Sequence, residues 1–532
     1  MKENKISEQI AKRRIFGIIS HPDAGKTTLT EKLLLHGGAI RQAGTVKARK
    51  SAKYATSDWM EIEKQRGISV TSSVMQFEYE DKLISIMDTP GHNDFGEDTY
   101  RILTSVDSAV MVIDAAKGIE AQTEKLFAVC RMRHIPVFTF MNKLDREARD
   151  PLELIGELED MLDMPATAVT WPIGSGLNFQ GIYDIAHNAV HLYKEKKILQ
   201  LGDAGVKDPV LEEHLTGMNL NALREGIELL EGAGHPMDED AVLAGELTPV
   251  FFGSALADFG TIPFLKEFLR MSPPPGPRKT AEGGFVHPTD PEFSGFVFKI
   301  QANMNPAHRD RLAFLRICSG EFERGMTANL YRTGKTLKLA QSTHLMANER
   351  ENVERALAGD VIGIYDNGNL RVGDTLYTGK EPVCFEPLPT FPPELFAMAA
   401  PLDSMKGKQF QKGVEQLSQE GAIQVYRNEY NEVILGAVGR LQLEVFEYRL
   451  ENEYNAPLRM RDLDFSLARW VKGSKVEDIK RTLDSRSMLV FDRFERPIIL
   501  FANRFTLGYY MEKHKDIQLA EAMDVKDPLP LN

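Results

Sequence analysis

The chain has 532 residues, more than one hydrophobic core usually serves, so about three domains are expected. A net charge of -13 excludes a protein that coats nucleic acid by bulk electrostatics. Cys130, Cys318 and Cys384 lie too far apart for a metal site or a disulfide framework, which suits a reducing compartment and leaves them as packing residues. The start has no apolar stretch before a small-residue cleavage site, and no run reaches the eighteen or so apolar residues of a membrane span. The expectation is a cytoplasmic monomer without a membrane partner.

In chain order, the first third alternates short apolar runs with helical patterns. RRIFGIIS, KLISIMDTPG, SAVMVIDAA, IPVFTFMNKLD and TPVFFGSAL read as buried strands, with TTLTEKLLLHGG and QTEKLFAVCRMRH as helices between them. This is the βαβ pattern of a parallel sheet, and it predicts an α/β domain over residues 1–277. The segment between Asp145 and Ser254 is longer than a plain βαβ connection and carries no assigned role. MSPPPGPRKT, Met271 to Thr280, reads as a stiff linker. FSGFVFKIQ, RLAFLRICSG, ANLYRTGKTLKLAQ and GDVIGIYDNGNLRVGDTLYT then predict strands of a β-barrel domain over 281–388. After EPLPTFPPELF, residues 392–532 mix helices and strands as an α+β domain, and no internal repeat is visible.

From Pro401 to Asn532 there are 20 Lys+Arg and 21 Asp+Glu, so almost all of the negative charge lies in the first 400 residues. Any RNA contact should therefore be local and C-terminal. Lys472, Lys475, Lys480, Arg481 and Arg486 form the best basic cluster, but Glu477, Asp478 and Asp484 interleave with it, as on a solvated face.

SHPDAGKTT runs Ser20, His21, Pro22, Asp23, Ala24, Gly25, Lys26, Thr27, Thr28, between a strand and a helix. In a phosphate-binding loop, backbone N–H groups wrap the β-phosphate at a helix N-terminus. Gly25 lets the backbone pass against oxygen, Lys26 neutralises the β- and γ-phosphates, and the Thr27 hydroxyl faces Mg2+. Ser20 replaces the usual first Gly, a position that only starts the bend. Asp23 holds either a monovalent cation or the charge of the helix N-terminus.

DTPGH follows a strand. Asp88 there can hold Mg2+ through water, and Gly91, after Thr89 and Pro90, can present a bare N–H to the γ-phosphate, although Asp-Thr-Pro-Gly is also good β-turn chemistry. NKLD, that is Asn142, Lys143, Leu144 and Asp145, selects the base. One carboxylate accepts both N1–H and the 2-amino group of guanine, whereas adenine would leave it unpaired. Asn142 can tie this loop to the phosphate cradle, and the Lys143 stem can cover the purine. Ser254, Ala255 and Leu256 end a further strand, where backbone N–H groups can read guanine O6. Four motifs in this order, each ending a strand, outweigh the reading of each as a surface turn.

The order and wording resemble translational GTPases. SHPDAGKT is similar to their phosphate loop, RGIS at Arg66–Ser69 to their first switch, DTPGH to their second, and NKLD and SAL to their base-reading loops. Beyond them, GDVIGIYDNGNLRVGDTL looks like their second-domain barrel and GAVGRLQLEVFEYRLENEYN like the following domain of the translocase. The first switch has Ser69 where the family usually shows Thr. GTVKARKSAKYATSDWMEIEKQRGISV and EFSGFVFKIQANMNPAHRDRLAF resemble the release-factor branch in particular.

The resemblance implies a GTP/GDP- and Mg2+-dependent GTPase that works on the ribosome after peptide release and removes codon-reading class I release factors. It places Mg2+ on Thr27 and Ser69 with Asp88 behind, and His92 as the residue that orients the attacking water. Pro22 and Ile68 are expected to form an apolar gate that keeps His92 out until activation. Three alternatives stand beside it: a translocase or ribosomal protection GTPase, whose additional C-terminal domains are missing here, a small-molecule kinase, and a non-hydrolysing guanine-nucleotide scaffold.

Overall fold

The computed structural model describes residues 2–40, 73–90, 96–302, 311–340, 342–346, 349–388 and 392–520. Arg66, Ile68, Ser69, Gly91 and His92, with the RGIS stretch, lie outside the described residues. After α1 (Lys2–Ala11), β1 (Arg13–Ser20) is buried along all but its first residue, because parallel partners flank it and helices cover both faces. α2 (Lys26–His36) follows, then the hairpin β2 (Ser73–Tyr79) and β3 (Lys82–Asp88), α3 (Gly96–Leu103), β4 (Ser108–Asp114), α4 (Ala121–Met132) and β5 (Val137–Asn142). α5 (Pro151–Leu162) starts where a proline needs no N–H and Asp150 accepts from Leu152 and Glu153, at 2.8 and 3.2 Å.

The segment without an assigned role begins with β6 (Ala166–Ala168), which joins the main sheet. β7 (Thr170–Ile173), β8 (Gly181–Asp184), β9 (Ala189–Leu192) and β10 (Lys197–Gln200) then form an antiparallel meander of their own. α6 (Val210–His214), α7 (Gly217–Ala233) and α8 (Glu239–Ala244) lead to β11 (Thr248–Phe252) and α9 (Thr261–Met271). Five predicted strands thus sit in one sheet of order β2-β3-β1-β4-β5-β11-β6, parallel except for β2. Along β1, Ile15 and Ile19 enter one core cluster while Phe16 and Ile18 enter the other, where Phe268 of α9 packs edge-on to Phe16 and Phe138. Each fully buried aromatic there contributes about 1.5 to 3 kcal/mol. All the motif-bearing strands end at the same edge of the sheet, the usual place for a ligand in an open α/β fold.

The proline-rich stretch is pinned to its surroundings. Arg278 donates to the carbonyls of Thr104 and Val106 at 3.0 and 2.8 Å and to Asp107 at 2.8 Å, and Asp107 also receives Arg316 at 2.6 Å. The short pair β12 (Arg278–Lys279) and β13 (Phe285–Val286) precedes a second sheet. Its strands are β14 (Ser294–Ala302), β15 (Arg311–Ser319), β16 (Glu321–Glu323), β17 (Thr327–Leu330), β18 (Lys335–Lys338), β19 (Ser342–Met346), β20 (Glu349–Asn352), β21 (Arg355–Leu357), β22 (Val361–Tyr365) and β23 (Thr375–Tyr377). Eight of them pair in the order β18-β17-β23-β14-β15-β22-β19-β20, and β16 and β21 pair separately, a barrel-like sheet around its own apolar core.

The last sheet repeats one plan twice. β24 (Leu395–Pro401), α10 (Gly407–Glu420), β25 (Gln424–Arg427), β26 (Val433–Ala437), α11 (Arg440–Tyr454) and β27 (Leu458–Leu463) form a βαββαβ unit. β28 (Leu467–Lys472), α12 (Val476–Lys480), β29 (Ser487–Phe491), β30 (Pro497–Phe501), α13 (Arg504–Lys513) and β31 (Gln518–Ala520) form another. The strand order β27-β24-β26-β25-β29-β30-β28-β31 is two ferredoxin-like orders joined at Arg427 and Phe491. This corrects the expectation of no internal repeat. With 14 residues in α10 and 5 in its counterpart α12, the units share a topology without a fixed sequence period. Lys480 pairs with Glu429 at 2.7 Å and Arg481 with Asp478 at 3.6 Å, as a solvated face requires.

Candidate functional site

The cradle is built at the end of β1. Ser20 is buried and its hydroxyl donates to the His21 carbonyl at 2.9 Å, so the residue that departs from the usual Gly is satisfied inside the bend. Asp23 and Gly25 both take positive φ, 65° and 98°, and Leu29 N–H donates to Gly25 O at 2.9 Å as α2 begins. Lys26 and Thr27 are buried in the first turn of that helix, Pro22 and Thr28 are half-buried and Asp23 is exposed. Lys26 forms a buried ion pair with Asp88, which brings the first and second motifs together. The Thr89 hydroxyl donates to Ile18 O at 2.6 Å and fastens the end of β3 to β1, with Pro90 buried beside it.

Asn142 joins the cradle to the base-reading loops. Its amide nitrogen donates to Ala24 O and its amide oxygen accepts from Ala255 N–H, both at 2.8 Å. Asp145 receives the Ser254 hydroxyl at 2.5 Å, and that hydroxyl in turn accepts from Ala257 N–H at 3.1 Å. Leu144 is buried and its N–H reaches Gly253 O at 3.2 Å. The loop after β5 and the loop after β11 therefore form one rigid pair.

The expectation for guanine O6 is narrowed. Ser254 N–H is committed to Phe259 O at 2.9 Å and Ala255 N–H to Asn142, whereas Leu256 N–H has no acceptor among the described residues. Lys143 takes φ 73°, and its ammonium meets Asp114 at 2.6 Å, which aims the stem. Burial alone would raise the Asp114 carboxyl, but the bonds from Lys143 and Ala116 N–H outweigh it and hold the group below its ordinary range. Asp114 was not singled out among the sequence candidates, although it ends the strand SAVMVID beside the motif strands.

His21 is buried, and neither ring nitrogen has a hydrogen-bond partner. Burial, opposed by Glu120 at 3.6 Å, lowers its pKa and keeps the ring neutral. Its carbonyl does the local work, accepting from Ser20 and Ala24.

The donor set suits a guanine nucleotide with Mg2+. A magnesium ion usually takes one or two protein oxygens and fills its octahedron with waters and phosphate oxygens. Thr27 and Asp88 are oxygen donors of that kind, and no cluster of three or more His, Cys, Asp or Glu among the described residues offers a cage for another ion.

A Cβ on Gly25 would stand 2.3 Å from the Asn142 amide nitrogen, at a backbone angle that L side chains rarely adopt. Gly25→Ala is therefore expected to weaken GDP binding about tenfold or more through strain of roughly 1 to 3 kcal/mol. Fluorescence titration checks this, with thermal melting to show that the fold survives.

The pattern of the Elongation factor Tu GTP binding domain matches residues 11–274, that of Elongation factor G domain 2 matches 292–379, and that of the Class II release factor RF3 C-terminal domain matches 385–511. The chain is 54% identical over 528 residues to a peptide chain release factor 3 of Lacticaseibacillus casei (strain BL23), across 98% of this chain and 100% of that protein. It is 55% identical over 523 residues to that of Streptococcus uberis (strain ATCC BAA-854 / 0140J), across 97% and 100%. A crystal structure from Thermus thermophilus superposes with a TM-score of 0.69 at 23% identity, covering 88% of this chain and 71% of that one, which is a likeness of fold.

Proposed function

The chain belongs to the peptide chain release factor 3 family of translational GTPases, and from that premise we propose how its residues carry out the work of a GTPase of translation termination. It binds GTP at the strand-end loops, engages the ribosome, and promotes departure of class I release factors after peptide release. The observation that carries this is Asn142, whose amide holds the phosphate cradle at Ala24 and the guanine-reading loop at Ala255 in one geometry. The match at residues 385–511 favours termination over translocation or ribosomal protection.

Hydrolysis here is positioning and electrostatics. The loop from Ser20 to Thr28 wraps the phosphates with backbone N–H groups. Lys26 turns from Asp88 to the β- and γ-phosphate oxygens. Thr27 and Ser69, with Asp88 behind them, would hold Mg2+, which would supply further neutralisation of the phosphate charge. Gly91 senses the γ-phosphate, and His92 orients the water that attacks the γ-phosphorus as its bond to the β–γ bridging oxygen breaks, leaving GDP and phosphate. Asp145, fixed by Ser254, accepts the two guanine donors, and the Leu256 N–H meets O6.

A state signal has a route outward. Arg101, on the helix that follows the γ-phosphate sensor, pairs with Glu97 within that helix and donates to Gly421 O at 3.3 Å, in the βαββαβ region. A nucleotide-dependent shift of α3 thus bears directly on that region. The factor can weaken a neighbouring ligand only through a coupling free energy, typically about 1 to 3 kcal/mol, or roughly 5- to 150-fold. Added with GTP to a post-release complex, the protein is expected to speed departure of a labelled class I release factor by a factor in that range. Stopped-flow fluorescence with GTP, GDP and a non-hydrolysable analogue tests it. Equally slow departure in all three, with faster mRNA–tRNA movement, would overturn it.

A further inference from the structure

A cavity of about 440 Å³ lies away from the nucleotide loops, where the end of α4, the pinned linker and the barrel-like sheet meet. That volume is within the range of small-molecule sites, roughly 300 to 1,000 Å³. Its wall pairs two kinds of chemistry. Phe296 and Phe385, with ring centroids 5.7 Å apart, form an apolar side, and the largely exposed Phe285 stands at the rim. The lining also includes the basic residues Arg133, His134, Arg278 and Lys279.

The cations are not balanced from within. Glu386 lines the cavity, but Lys279 already pairs with it at 3.0 Å. Arg278 spends its terminal nitrogens on Thr104, Val106 and Asp107, which leaves its Nε–H buried without an acceptor. Arg133 makes no side-chain hydrogen bond or ion pair among the described residues. Its guanidinium is held below its ordinary range, first by burial and then by the Arg278 charge, against the pull of Glu386. A half-buried guanidinium without a partner beside aromatic rings is costly unless an anion completes it.

We infer that this junction cavity binds a small ligand that combines one anionic group, phosphate or carboxylate, with a flat apolar ring system. The anion takes the Arg133 fork, with the Arg278 charge behind it, and the ring lies against Phe285, Phe296 and Phe385. Because the wall is drawn from three parts of the chain, the occupied site holds the α/β domain and the barrel-like sheet in one arrangement. The inference does not depend on the proposed role in termination.

The test is isothermal titration calorimetry on the full chain saturated with GDP, so that the guanine site is filled and its state is known. The probes are 1-naphthyl phosphate and 1-naphthoate, with 1-naphthol lacking the charge and inorganic phosphate lacking the ring. One molecule of a charged arene per chain is expected to bind, and the stronger of the two identifies the anionic group. Arg133→Met and Phe285→Ser should each weaken it about tenfold or more, and Arg133→Lys less than Arg133→Met. Melting curves identify any variant that fails to fold, and the remaining variants then decide. No saturable binding of either charged arene up to about 1 mM, equal binding of 1-naphthol, or unchanged binding in the folded variants would overturn the inference.

Discussion

Asp145→Asn weakens GTP binding by about 2 to 4 kcal/mol, roughly 30- to 900-fold, and shifts preference toward xanthosine triphosphate. A carboxylate is acceptor-only, and in the proposed role it meets the two guanine donors, N1–H and the 2-amino group. In the variant the amide places its own donors against one of them, so a hydrogen bond is replaced by a clash of like groups. Xanthine carries a 2-oxo group there, which the amide can serve. The fold should tolerate the change, because the Ser254 hydroxyl at 2.5 Å finds an oxygen on either side chain, and the loop is held independently by Asn142. Titrating both nucleotides against wild type and variant decides it. Unchanged GTP affinity, or equal losses for both nucleotides, removes Asp145 from the role of base reader.

The motifs were legible because each ends an apolar strand, and strand ends of a parallel sheet converge. RRIFGIIS corresponds residue for residue to β1, and TPVFFGSAL carries β11 into the Ser254 loop. What joins the motifs was only partly legible. Asn142 as a tie was expected from its position in NKLD, but the commitment of Ala255 N–H to it depends on how two loops far apart in sequence meet. The partnership of Lys143 with Asp114 is a contact between adjacent strand ends, and no spacing rule announces it.

The region between Asp145 and Ser254 lacked a reading because β7 to β10 are only four residues each, and so short a run shows little alternation. The repeated βαββαβ plan was hidden for a different reason. A topology constrains which strands pair, while helix lengths and core residues are free to diverge.

His92→Ala is expected to keep GTP affinity within a factor of a few while lowering ribosome-stimulated turnover roughly a hundredfold or more. The separation follows from where the groups stand in the chain. The cradle from Ser20 to Thr28 and the base-reading pair of loops are bound together through Asn142 without any part from His92, so binding survives its loss. His92 directly follows Gly91, the proposed γ-phosphate sensor, so its proposed role is on the attacking water alone. Lys26→Ala should behave in the opposite way. Its ammonium is buried against Asp88, and removing it leaves that carboxylate uncompensated beside the phosphates, so affinity itself falls. Single-turnover hydrolysis on ribosomes, beside nucleotide titration of each variant, separates the two effects. Near-normal hydrolysis by His92→Ala would assign the water to another residue, and unimpaired binding by Lys26→Ala would remove Lys26 from the cradle.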